Sequence, residues 1–157
     1  MPRIEILTLA VVVGLCALPV SAAAPGFEGG AWRHQTKLVS AEIPGVSQGL
    51  VKLFAGRGAR SSCHQTAQLA DHPEALLTAD DRAVCKLRKM SMSGGVLVFD
   101  TFCTNKRFPD GLLVASRGSY SATTYSITTT STGTKDGKPV KIVTTGSGKR
   151  VAERCRD

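Results

Sequence analysis

The chain has 157 residues, of which the first two dozen form an apolar leader, so about 135 remain, enough for one domain with a single modest core. Aromatics make up 5% of the chain while Gly, Ser and Thr are abundant, so that core has to be built mainly from Val, Leu and Ile. The formal charge of +8 is unchanged when Arg3 and Glu5 leave with the leader; it favours polyanionic neighbours but speaks to association and not to a site.

The leader carries Arg3 and then an apolar stretch from Ile6 to Val20, followed by small residues. Gly14 and Pro19 break the stretch before it reaches the roughly 20 apolar residues a membrane span needs. Residues 1–22 are therefore expected to be a secretory signal peptide, cleaved after Ala22, and residues 23–157 a single secreted β domain, periplasmic, soluble and not membrane-spanning. Leu15 precedes Cys16, so the lipid-anchor pattern is missing.

Trp32 to Ile43 mixes β-branched and polar residues before the Pro44-Gly45 turn and reads as the first strand. Ser47 to Ala55 is predicted as a second strand, ended by Gly56-Arg57-Gly58. Pro73 to Ala79 carries Pro and Glu in its first turn and reads as one short helix. Cys85 to Cys103 contains two β-rich runs joined at Gly94-Gly95, a hairpin signal. A two-residue loop would set Lys89 opposite Asp100 and Met90 opposite Phe99; a three-residue loop would set Arg88 opposite Asp100 and Cys85 opposite Cys103. Either register gives Asp100 a basic cross-strand partner, which makes it a structural carboxylate. Four further strands are expected at Leu112 to Ser116, Gly118 to Thr130, Pro139 to Thr145 and Lys149 to Cys155, with a turn at Thr134 to Lys138. The expected class is mainly β: an antiparallel meander, open or barrel-like, with one short helix and two disulfides.

Export would place Cys63, Cys85, Cys103 and Cys155 in an oxidising compartment, where an even number implies bridges. Cys63 and Cys85 bracket the helical connection, and Cys103 and Cys155 end the hairpin and the final strand. The expected pairing is Cys63–Cys85 with Cys103–Cys155. The alternative, Cys85–Cys103 with Cys63–Cys155, goes with the three-residue register.

In this order of features the chain resembles the bacterial exported proteins grouped as domain of unknown function 3617. The matching pieces are Gly30-Ala31-Trp32, Cys63, the helix near Pro73-Glu74-Ala75, Cys85 with its Gly94-Gly95 turn, Cys103, and Lys149 to Cys155. The tail departs from the pattern, with Ala152-Glu153-Arg154 where a Gly is usual before the last cysteine. The resemblance covers the mature chain and implies no activity.

His34, His64 and His72 are scattered without ligand spacing and read as surface or turn histidines; no metal site, cofactor or catalytic residue is expected. Ser61-Ser62 and Asp80-Asp81 match no catalytic motif. Trp32 is the one candidate ligand contact, weighed against a role as core plug. Lys86, Arg88, Lys89, Lys106-Arg107 and Lys149-Arg150 could meet an anionic envelope surface, while the lack of interleaved aromatics argues against nucleic acid. The function expected is that of a non-catalytic envelope accessory or binding module, working through its surface or a shallow pocket between sheet and helix. The alternatives are an apolar-ligand or lipid carrier, or an enzyme whose site is assembled from distant residues.

Overall fold

The computed structural model describes residues 26–47, 49, 51, 58–78 and 83–155, so the leader lies outside the described residues. Seven strands form one antiparallel sheet: β1 (Gly30–Glu42), β2 (Gly58–His64), β3 (Val84–Ser93), β4 (Val96–Asn105), β5 (Phe108–Tyr120), β6 (Thr124–Lys135) and β7 (Lys138–Ala152). Two short helices, α1 (Thr66–Asp71) and α2 (Glu74–Leu77), lie between β2 and β3. The spatial order is β2-β1-β7-β6-β5-β4-β3. Strands β3 to β7 are thus the expected meander, β1 pairs with the last strand, and the open edges are β2 and β3. The helical connection runs from one edge strand to the other.

Alternation sets the faces. On β1, Trp32 and His34 are buried while Arg33 and Gln35 point the other way. The register carries the buried face through Tyr125 on β6, Tyr120 on β5 and Leu97 on β4. Phe27 and the helix residues Leu69 and Leu76 complete this cluster, so the two helices bury their apolar side chains against the sheet. Edge-to-face contacts of Phe27 with Trp32 at 5.7 Å and Tyr120 at 5.6 Å concentrate the few aromatics in one place. A second cluster, Phe108 and Leu112 of β5 with Val140 of β7, forms across the intervening β6. Between the two on the same face lie buried hydroxyls, Ser116 bonded to Thr129 at 2.7 Å and Thr101.

Glycines admit the tyrosine. Gly148 is paired with Tyr125 across β6 and β7, and a Cβ there would overlap the phenol ring. Gly146 likewise sits beside Ile127. These residues lie inside one continuous β7, so the expected break between Pro139–Thr145 and Lys149–Cys155 does not occur: the glycines are spaces for side chains and not a turn.

Gly118 to Thr130, expected as one strand, is instead split between β5 and β6. It divides at Ser121 to Thr123, where the Ser121 hydroxyl accepts the backbone N–H groups of Thr123 and Thr124. A serine-capped turn replaces the glycine signal that would have announced it. Elsewhere turn chemistry is plain: Asp136 and Gly137 both have positive φ, 53° and 71°, as a two-residue hairpin turn with right-handed strand twist requires.

Strand β2, Gly58 to His64, has no apolar alternation and no buried residue to announce it in the sequence, and gains its place by pairing with β1. Of the expected strand at Ser47 to Ala55, Gly49 and Val51 are helical and most of the rest lies outside the described residues. The expected helix covers Glu74–Leu77, and Thr66–Asp71 adds a second.

The cysteine pairing also differs: the bridges are Cys63–Cys155 and Cys85–Cys103. The hairpin does start in the two-residue register, with Lys89 opposite Asp100 and Met90 opposite Phe99. A bulge at Arg88 then shifts the ladder by one, setting Cys85 opposite Cys103. The first bridge ties β2 to the segment just past β7, because β1 lies between those strands and pairs with both.

Candidate functional site

The inner face holds a chain of polar groups that spans three strands. The His34 ring, on β1, places Nδ1 2.8 Å from the Tyr125 hydroxyl and Nε2 2.7 Å from Ser62 Oγ. Ser62, on β2, also lies 2.9 Å from His64 Nε2. Strand alternation makes the grouping: Trp32 and His34 share a face, as do Ser62 and His64. Burial drives the His34 pKa down to about 4, with the positive charge of Arg60 and any charge on His64 adding in the same direction. His64 is lowered too, by burial first, with Gln68 opposing and Arg60 assisting. Burial raises Tyr125. The network is therefore neutral near pH 7.

Two imidazoles flanking a serine resemble the parts of an acyl-transfer site. The geometry withholds two requirements. His34 is only 2% exposed, with both ring nitrogens already bonded. Among the described residues no carboxylate bonds either imidazole to orient it. Nor does any group of three or more His, Cys, Asp or Glu residues among those described stand ready to hold a metal ion. The sequence reading of His34 as a surface or turn histidine is corrected by this burial. The signal available was its spacing of two from Trp32 on a strand; the partners, 28 and 91 residues away, were not legible.

The outer face is different in kind. Arg33 on β1 stands directly opposite Lys149 on β7, and Gln35 opposite Ser147. Together with Thr124 of β6 they line a groove of about 640 Å³. A second hollow of about 410 Å³ shares Gln35 and Ser147 and continues past Lys37, Ser126 and Thr145. Neither is lined by a carboxylate. Like charges in a direct cross-strand pair are destabilising unless something between them is negative.

The other candidates divide among distinct places. Trp32 is fully buried, stacked near Tyr125 at 6.4 Å, and its indole N–H donates to Glu28 O at 3.0 Å, so no face of the ring meets solvent. Lys149 and Arg150 point to opposite faces; Arg150 donates to Gly29 O at 2.6 Å and to the Glu28 carboxylate at 2.8 Å. Asp100 faces Lys89 in the ladder but is bonded by Arg117 of β5, through both its oxygens, and this holds its pKa below the usual range. Arg88, the bulge residue, sits over the Phe102 ring at 5.9 Å. His72 contacts Glu74 at the surface. Asp80-Asp81 lies outside the described residues.

Fold and faces together define an open seven-stranded β-sheet protein, tied by two disulfides, with a neutral polar network on its inner face and a basic groove on its outer one. Residues 27–155 match the family model described as Protein of unknown function (DUF3617), and the chain belongs to that family. Neither a curated protein nor a solved structure matches it. Among the described residues no helix is long and apolar enough to cross a membrane.

Proposed function

We propose that this chain is an exported protein, cleaved after Ala22, that works in the periplasm as a non-catalytic binding module for an anionic envelope surface. The leader sequence and two disulfides support export. The observation that carries the binding role is the Arg33–Lys149 pair, two cations set against each other over an open groove without a carboxylate. Among the described residues, the histidines grouped around Ser62, His34 and His64, are both held neutral near pH 7, chiefly by burial. Both hollows are lined mainly by polar side chains, which favours a charged or hydroxylated ligand over an apolar one.

Co-sedimentation with anionic and neutral vesicles at low and high salt tests the reading. Weak binding to the anionic vesicles alone, lost at high salt, is expected, because exposed charges are screened beyond roughly 8 Å at physiological ionic strength. Equal binding to neutral vesicles, or binding unchanged in high salt, would contradict it.

A further inference from the structure

We infer that the outer groove between β1, β7 and β6 is a subsite for a phosphorylated sugar, with the phosphate between Arg33 and Lys149. The inference rests on the binding-module reading and names its ligand.

Three features lead to a phosphate monoester. First, Arg33 and Lys149 face each other in one ladder position, and neither has an acidic partner among the described residues. Directly opposed side chains in an antiparallel pair stand about 5 Å apart at Cβ, so one anion can reach both. A phosphate monoester carries close to two negative charges at neutral pH and offers three acceptor oxygens; a carboxylate offers one charge. The guanidinium can bind two of those oxygens in its fork, and the ammonium can take a third as a point charge.

Second, the next positions along the groove are Gln35, Ser147 and Thr124, with Ser126 and Thr145 beyond. Amide and hydroxyl groups both donate and accept, which is what a ring of sugar hydroxyls requires. Third, the hollows of about 640 and 410 Å³ share Gln35 and Ser147 and form one trough, larger than a free phosphate needs. Trp32 and Tyr125, which could have stacked on a sugar ring, face inward. The sugar is therefore held by hydrogen bonds to these amide and hydroxyl groups, and the phosphate by the two cations.

The test uses the oxidised chain purified from secreting cells and labelled with ¹⁵N, titrated with N-acetylglucosamine 1-phosphate, N-acetylglucosamine and inorganic phosphate. The sugar phosphate should shift the amides of Arg33, Gln35, Ser147 and Lys149. The unphosphorylated sugar and inorganic phosphate should each bind roughly tenfold more weakly. Arg33→Gln with Lys149→Gln should weaken sugar-phosphate binding roughly tenfold or more while leaving the melting temperature unchanged or raised, since the substitutions remove a repulsion. Lys106→Gln with Arg107→Gln, an equal charge loss at the β4–β5 turn, should leave binding within about twofold.

Equal weakening by both double variants would reduce the effect to net charge and overturn the inference. So would inorganic phosphate binding as tightly as the sugar phosphate, or shifts lying elsewhere. Salt-dependent vesicle binding that survived any of these outcomes would leave the binding-module reading standing without the sugar-phosphate ligand.

Discussion

His34 Nδ1 lies 2.8 Å from the hydroxyl of Tyr125, a residue 91 positions later in the chain, and this bond fastens β1 to β6 through the interior across the intervening β7. Through His34 and Tyr125 the inner network thus joins two strands that are not neighbours in the sheet.

Acid should loosen it. In the folded protein His34 titrates at about 4, against 6.5 for an ordinary histidine, so the unfolded chain binds more protons throughout that window. The stability contributed by neutral His34 is complete above pH 6.5 and is lost as the pH falls through 4. His64, lowered in the same direction, adds to the trend. At about 1.4 kcal/mol per unit, and discounting for water reaching the sheet edge, the loss should be on the order of 2 kcal/mol. Denaturant melts at a series of pH values between 7 and 4 measure it. Tyr125→Phe, which leaves a buried ring nitrogen without its partner, should cost roughly 1–3 kcal/mol at pH 7. A flat pH profile with an unaffected variant would show that the network holds nothing.

Gly148 should tolerate no side chain. Its Cβ position is occupied by the Tyr125 ring, so Gly148→Ala should destabilise by roughly 1–3 kcal/mol. Gly58→Ala is the control, with nothing within 4 Å of the added methyl. Thermal melts of the two variants should separate clearly; equal behaviour would remove the steric account of the β7 glycines.

Much of the fold was legible because it is local. The β1 run, the Gly94-Gly95 and Asp136-Gly137 turns and the meander follow from alternation and turn chemistry, which operate over a few residues. What was missed is either non-local or carried by residues with two meanings. Gly146 and Gly148 looked like a turn but make room for Ile127 and Tyr125. Ser121 looked like strand but caps a turn. The bulge at Arg88, invisible in a sequence, decides which residue faces Cys103 and so which cysteines pair. At the candidate sites, the faces of Arg33 and Lys149 follow from alternation, but their opposition depends on β1 pairing with β7, a contact between residues more than a hundred positions apart.

The two bridges should contribute unequally. Cys63–Cys155 spans 92 positions and Cys85–Cys103 spans 18. On the chain-entropy account these correspond to roughly 4.5 and roughly 3 kcal/mol. Replacing Cys63 and Cys155 together by Ser should therefore lower the melting temperature more than replacing Cys85 and Cys103. The reverse order would show that native-state contacts, not loop closure, set the difference.

Export and oxidation, on which the proposed role depends, are read together from the intact mass of the chain recovered from the periplasmic fraction without reductant. The expected mass is that of residues 23–157 less four hydrogens, with peptide mapping that links Cys63 to Cys155 and Cys85 to Cys103. A chain found only in the cytoplasm, retaining residues 1–22 and carrying free thiols, would contradict it.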